Sequence, residues 1–140
     1  MKPKITILKN STDLFNVDIL KNIQKKLQDD DLVSFRKKNI IDDDYIFDRT
    51  SFIESNLKAL GEYKENSIDD LILKISYMYR IRPFEKKNKE FFKTWLDLYL
   101  DRKIKKRINW NNIDYEIFEF ILKKDTNMNI LKKLIVNNLI

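Results

Sequence analysis

Hydrophobic positions recur at helical spacing along most of the chain. In the first segment the apolar residues are three or four positions apart, and they are Leu14, Val17, Leu20, Ile23 and Leu27. Residues at this spacing share one face of an α-helix, so we predict a helix that ends around Gln28. The residues Ser11-Thr12-Asp13 precede it with side chains suited to capping.

Similar patterns, together with capping and helix-breaking residues, predict five further helices. They run from a Thr50 or Ser51 cap to Gly61, from Ser67 to the break at Pro83, from Phe91 to Tyr99, from Asp114 to Lys124 and from Met128 to Leu139. Glu54 has the spacing to complete a capping box at the start of the first of these.

Two stretches lack helical spacing. Val33 to Phe47 mixes apolar and polar residues, and we predict a short hairpin with Asp42-Asp43-Asp44 near its tip. Lys4 to Leu8 alternates weakly, so residues 1–10 are either a tail or a short strand. The sequence therefore predicts an all-α fold with a small β-hairpin, in a single domain over residues 1–140.

Composition supports a helical protein and excludes several kinds of site. The chain has one glycine and two prolines, which leaves little material for many tight turns. It has no cysteine and no histidine, so disulfides, thiolate sites and Ser-His-Asp or Cys-His mechanisms are excluded. No apolar run resembles a signal peptide or a membrane span, and we expect a cytoplasmic protein that makes no membrane contact.

The segment from Tyr77 to Leu100 predicts a helix, a polar loop and a second helix. Pro83 disfavours helical geometry in the residue before it and cannot donate a backbone hydrogen bond. A polar run from Glu85 to Lys89 follows, and helical periodicity then resumes with Phe91. A loop of this kind is held at the N-terminus of a helix, where anions bind.

This segment resembles the signature of the Fic/Doc (Fido) family, H-P-F-x-D/E-G-N-G/K-R-x-x-R. The matching residues run from Ile81 to Lys93. Three other blocks, in the family's order, support the resemblance: Val33 to Ile40 is similar to G-x-x-R-x-x-x-I, Phe52 to Leu60 to F-I-E-x-x-L, and Ile108 to Asp114 to I-D-W-x-x-I-D. The resemblance covers the chain from about Asp13 and implies a Fido-like helical domain with a small β-hairpin flap.

The resemblance also implies that the loop has lost its chemistry. Arg82 stands where the family has its catalytic histidine, Lys86 where it has the metal-binding carboxylate, and Lys87 where it has the first glycine. Guanidinium stays protonated and cannot act as the base that removes a proton from a target hydroxyl. A lysine at the carboxylate position would repel a metal ion.

We therefore expect no catalytic residue in the degenerate loop, which comprises Arg82, Phe84, Lys86, Asn88 and Lys93. Two of these, Phe84 and Asn88, match the family, whereas Glu90 and Lys93 replace its arginines. We expect no metal and no cofactor. A weak phosphate contact is the most that the helix start would make, through Lys87, Asn88, Lys89 and Lys93.

The formal net charge is +6, and part of it is concentrated after the central helix. The basic cluster comprises Arg102, Lys103, Lys105, Lys106 and Arg107. It is either a solvated helix end or a face for an acidic partner. We expect a partner to contact this cluster and the hairpin residues Tyr45 and Phe47, and to be indifferent to Arg82.

Two functions follow from the resemblance. The first is a binding, inhibitory or regulatory protein that acts on a macromolecular partner, such as one in a bacterial or mobile-element conflict system. The partner would be a protein or another acidic macromolecule, with nucleic acid as a further class. The alternative is an active Fic-type nucleotidyl- or phosphotransferase with reworked residues, which would require ATP and magnesium.

Overall fold

The computed structural model describes residues 5–8 and 13–140, and this part of the chain is mostly helical. Its helices are α1 (Val17–Gln28), α2 (Ile53–Glu62), α3 (Ile68–Ile81), α4 (Asn88–Ile104), α5 (Tyr115–Lys124) and α6 (Asn129–Val136). The strands β1 (Ile41–Asp42) and β2 (Tyr45–Ile46) form one antiparallel hairpin. The predicted all-α fold with a small hairpin is confirmed. Within the described ranges, no helix combines the length and the apolar character needed to cross a bilayer.

Helix α4 forms the centre of the hydrophobic core. The side chains of Trp95, Leu96, Tyr99 and Leu100 are all fully buried. The Trp95 ring stacks on Tyr99 with 5.0 Å between ring centroids, and its indole N–H donates to the carbonyl oxygen of Leu14 at 2.8 Å. Burying the ring while satisfying its polar N–H is the favourable way to place tryptophan in a core. Phe84, Phe91 and Phe92 are buried in the same core.

Local capping differs from the prediction at the first two helices. The N-cap of α1 is Asn16, whose side chain accepts from the backbone N–H groups of Asp18 and Ile19. The expected capping residues Ser11 and Thr12 lie outside the described ranges. A 3₁₀ turn, Thr50–Phe52, leads into α2 without a side-chain cap, so the predicted capping box is wrong. That turn already takes up the residues that were expected to cap the helix.

The last helix is shorter than predicted because the chain leaves it to pair with an earlier segment. Helix α6 ends at Val136, and Ile140 then exchanges backbone hydrogen bonds with Arg107 at 2.8 and 3.0 Å. Near the other end, Leu8 donates its backbone N–H to the carbonyl oxygen of Lys103 at 2.7 Å, and residues 5–8 form no strand. These backbone contacts attach one end of the described chain to the last turn of α4 and the other to the segment that follows α4.

Candidate functional site

The loop between α3 and α4 has left-handed backbone geometry at both of its ends. Arg82 follows α3 with φ 41°, and Lys87 precedes α4 with φ 56°. Side chains other than glycine rarely adopt this region. The loop is therefore held by tertiary contacts that compensate for unfavourable local geometry.

Arg36 supplies most of the contacts that hold the loop. Its side chain is buried, and Nε donates to the carbonyl oxygen of Arg82 at 2.6 Å. Its remaining guanidinium nitrogens donate to the carbonyl oxygens of Ile81, Lys38 and Asp48. The backbone N–H of Arg36 donates to the carbonyl oxygen of Pro83 at 2.8 Å. Burial, with the nearby Arg82 charge, lowers the pKa of Arg36.

Two further contacts fix the loop from the side of α1 and the core. Gln24 is fully buried, and its Nε2 donates to the carbonyl oxygen of Lys86 at 2.6 Å. The Phe84 ring packs between Phe35 and Phe91, with centroids 5.6 and 5.0 Å away. Sequence reasoning missed the roles of Arg36 and Gln24. For Gln24, a sequence signal was present: it is a long polar residue on the apolar face of a predicted helix. For Arg36, the only signal was its place in the block that resembles G-x-x-R-x-x-x-I, which does not say what the arginine contacts.

The hairpin lies against α3 and α5. Tyr45 packs on the rings of Phe47 and Tyr79, and Asp42 forms an ion pair with Lys123 of α5. Burial raises the pKa of Tyr45 to about 12. Phe47 is only 2% exposed, so the expectation that it contacts a partner directly is wrong. Phe47 follows β2 on the same inner side as Tyr45, and its ring packs on Tyr79 of α3 beneath the hairpin.

The apolar side chains that the hairpin does present are Ile41 and Ile46. They are directly opposite each other in the strand pairing, and they are 67% and 63% exposed. Their neighbours Asp42 and Tyr45 point to the other face, because side chains alternate along a strand. Sequence reasoning missed this pair, since alternation alone does not say which face of a hairpin is covered.

Three buried side-chain atoms close to the loop have no hydrogen-bond partner among the described residues. They are Oε1 of Gln24, Nε of Arg82 and the hydroxyl oxygen of Tyr115. The Arg82 guanidinium lies 4.9 Å from the centre of the Phe47 ring. Tyr115 is 8% exposed, and burial raises its pKa. These atoms make the loop unusual, because buried polar groups in proteins nearly always have partners.

The residues expected to contact phosphate surround the start of α4. Lys87 precedes the helix, Asn88 begins it, and Lys89 and Lys93 lie one turn apart along it. The Lys89 ammonium is 5.2 Å from the centre of the Tyr115 ring. The Lys93 ammonium is 5.0 Å from that of Trp110. Cations above ring faces are stabilised there, so Lys89 leans towards α5 and Lys93 towards the 3₁₀ turn (Trp110–Asn112) before it.

The basic cluster is split by burial. Arg102, Lys105 and Arg107 are exposed and Lys106 is half-buried. Lys103 is only 4% exposed, and its Nζ lies 3.0 Å from Glu65, so its expected place on the solvent surface is wrong. The reason is helical phase, since Lys103 is four positions after Tyr99 and shares its buried face. The exposed basic cluster is therefore Arg102, Lys105, Lys106 and Arg107.

Glu65 is the centre of a buried charged network. Its carboxylate accepts from Nζ of Lys74 at 2.6 Å and from the hydroxyl of Tyr99 at 2.7 Å, and it also pairs with Lys103. Burial by itself would raise the pKa of Glu65. The hydrogen bonds outweigh burial and lower the pKa to about 2. The network joins the loop after α2 to α3 and α4.

Among the described residues, no group of three or more acidic side chains is placed to hold a metal ion. No protein-family model matches the chain.

Proposed function

We propose that this chain is a Fic-like domain without transferase chemistry, which acts as a binding protein with an inhibitory or regulatory effect on an acidic macromolecular partner. The observation that carries the proposal is the conformation of Lys87, with φ 56° at the position aligned with a glycine of the Fic signature. A lysine held in glycine-like geometry is consistent with a loop that keeps the backbone conformation of the family but lacks its catalytic side chains.

The Arg36 contacts support the same interpretation. Arg36 stands at the arginine of the block that resembles G-x-x-R-x-x-x-I, and it hydrogen-bonds the backbone at both sides of Pro83. Such contacts preserve a loop without regard to which side chains it carries. Apart from the exposed Glu85, the side chains of the loop are cationic or apolar, and Arg82 at the histidine position cannot remove a proton at neutral pH.

The proposed partner surface combines charge with apolar area. The exposed basic cluster follows α4, and Ile41 and Ile46 are exposed on the hairpin. Charged groups steer an oppositely charged partner and make association depend on salt, whereas apolar groups supply affinity once they are covered. An acidic protein surface with apolar residues at its centre fits both features.

The test is affinity capture with the full chain, followed by binding measurements on two charge-matched variants. One variant changes Lys105, Lys106 and Arg107 to glutamate. Its control changes the exposed residues Lys58, Lys64 and Lys124 to glutamate. We expect the first variant to bind the captured partner at least about tenfold more weakly at low salt, and the control to bind nearly as the unmodified chain does. Equal weakening in both variants would mean that only net charge matters, which would contradict the proposed surface.

A further inference from the structure

Two of the unpartnered polar atoms beside the loop, on Arg82 and Tyr115, are hydrogen-bond donors and indicate a ligand. The side chain of Arg82 makes no hydrogen bond and no ion pair with any residue that the structure describes, although its Nε is buried. The hydroxyl of Tyr115 is buried and unpartnered in the same way. Of the three aspartates on the adjacent hairpin, Asp42 is already paired with Lys123. A partner for Nε of Arg82 therefore has to come from outside the described residues.

Charge selects an anion for this position. Arg82 is held above the Phe47 ring, which supports a planar guanidinium from one side and leaves its edge to donate. Lys89 lies above the Tyr115 ring and adds a second positive charge. The start of α4 also favours negative charge, since its first backbone N–H groups are not paired within the helix.

The nearby acidic groups favour a singly charged anion over a phosphate. Glu90 is in the first turn of α4. Glu119 lies one helical turn after Tyr115 and accepts a hydrogen bond from the hydroxyl of Tyr79. A phosphate group has close to two negative charges at neutral pH and would be repelled more strongly than a carboxylate. A carboxylate is also planar and matches the fork of donors on arginine.

We propose that Arg82 and Tyr115 form a carboxylate socket, which receives an aspartate or glutamate side chain of the partner protein. The inference rests on the binding role proposed above and deepens it. In the socket Arg82 donates through its guanidinium and Tyr115 through its hydroxyl. The sequence alone led us to expect that a partner would be indifferent to Arg82, and the unpaired guanidinium is the reason for assigning it a role.

A protein source for the carboxylate follows from the surface beside the socket. Arg82 lies over Phe47 on the inner side of the hairpin, and Ile41 and Ile46 leave an exposed apolar pair on the outer side of the same hairpin. A free small acid would leave this pair in water, whereas a polypeptide could cover it while inserting one acidic side chain. A central charged anchor with apolar contacts around it is a common arrangement in protein interfaces.

The first experiment uses acetate as the probe and the Nε–Hε NMR signal of Arg82 as the readout, in the ¹⁵N-labelled full chain. We expect acetate to shift this signal saturably, sodium chloride at equal ionic strength to leave it nearly unchanged, and inorganic phosphate to bind more weakly than acetate. The control variant Arg82→Lys keeps the positive charge. The signal that disappears in this variant is thereby assigned to Arg82. No saturable response to acetate, or tighter binding of phosphate, would overturn the socket.

Tyr115→Phe tests the second donor without removing a native hydrogen bond. The variant should keep its far-UV circular dichroism and melting temperature, because the lost hydroxyl has no partner in the structure. We expect its acetate affinity to fall by about threefold to tenfold, which is the usual effect of one hydrogen bond. Unchanged acetate affinity in the folded variant would show that the Tyr115 hydroxyl does not bind the carboxylate.

The second experiment tests the protein source with acetyl-Val-Glu-Val-amide and its glutamine counterpart. We expect the glutamate peptide to bind at least about tenfold more tightly than acetate, because apolar surface is buried as well. The glutamine peptide should leave the Arg82 signal unchanged. Changing Ile41 and Ile46 together to serine should remove the gain and spare acetate binding. A glutamate peptide that binds no better than acetate would overturn the assignment to a partner protein.

These titrations need no natural partner, so they separate the two proposals. If acetate and the peptide bind as expected but the change of Lys105, Lys106 and Arg107 to glutamate does not weaken partner binding, the socket is supported and the proposed partner surface is contradicted. If the charge-reversal test succeeds and Arg82 does not respond to acetate, the partner uses the surface without the socket.

Discussion

Nε of Arg36 donates a hydrogen bond to the carbonyl oxygen of Arg82 at 2.6 Å, and this contact joins the hairpin entry to the loop between α3 and α4. The guanidinium groups of the two arginines differ in their hydrogen-bond partners. Arg36 is buried and all of its guanidinium nitrogens donate to backbone carbonyls, whereas the Arg82 guanidinium has no hydrogen-bond partner within the described ranges. One arginine holds the loop, and the other is available to a ligand.

The first prediction is that Arg36→Met destabilises the protein strongly. The substitution keeps much of the side chain's length but leaves buried carbonyl oxygens of the loop without donors. We expect a loss of roughly 3 kcal/mol in the free energy of unfolding, measured by urea denaturation. The matched control, Lys37→Met, alters an exposed neighbour and should change the free energy by less than about 0.5 kcal/mol. Equal effects of the two substitutions would contradict the structural role of Arg36.

The second prediction concerns pH and the buried network of Glu65. The folded-state pKa of Glu65, about 2, is below its ordinary value of 4.5, so the carboxylate contributes stability above that ordinary value. The contribution is lost as the pH falls towards 2. Glu65→Gln should therefore be destabilising at pH 6, where it leaves Lys74 and Lys103 without their shared counter-charge, by roughly 3 kcal/mol.

At pH 3 the difference between the unmodified chain and Glu65→Gln should be clearly smaller than at pH 6. Urea denaturation at both pH values measures it. Glu62→Gln, at an exposed position on α2, should show only a small difference at either pH. A penalty for Glu65→Gln that does not change between pH 6 and pH 3 would contradict the lowered pKa.

The third prediction is that nucleotide binding is weak and independent of magnesium. Lys86, Lys87, Lys89 and Lys93 can attract a phosphate group, but a lysine in place of the metal-binding carboxylate gives magnesium no role. Calorimetry with ATP, with and without magnesium, measures this directly. We also expect no transfer of label from ATP to proteins of a cell lysate. Micromolar affinity that requires the metal would favour the transferase alternative over a binding protein.

The sequence by itself determined the secondary structure and much of the core. The spacing of apolar residues predicted the helices, because burying one face of a helix is the main source of its stability. Pro83 predicted the break between α3 and α4, and the three aspartates predicted the hairpin tip, where Asp43 adopts φ 53°. These features depend on local geometry and on residues close in sequence. Local patterns therefore suffice to predict them.

The tertiary structure alone decided which polar residues are buried and which have partners. Lys103 belongs to a run of basic residues that a sequence assigns to the surface, yet its position on the inner face of α4 places it against Glu65, 38 residues earlier. Arg36 reaches the carbonyl oxygen of Arg82 across 46 positions of the chain, and Arg82 itself is left unpaired. Partners so distant in sequence are brought together by packing of whole elements, and no local spacing records that packing.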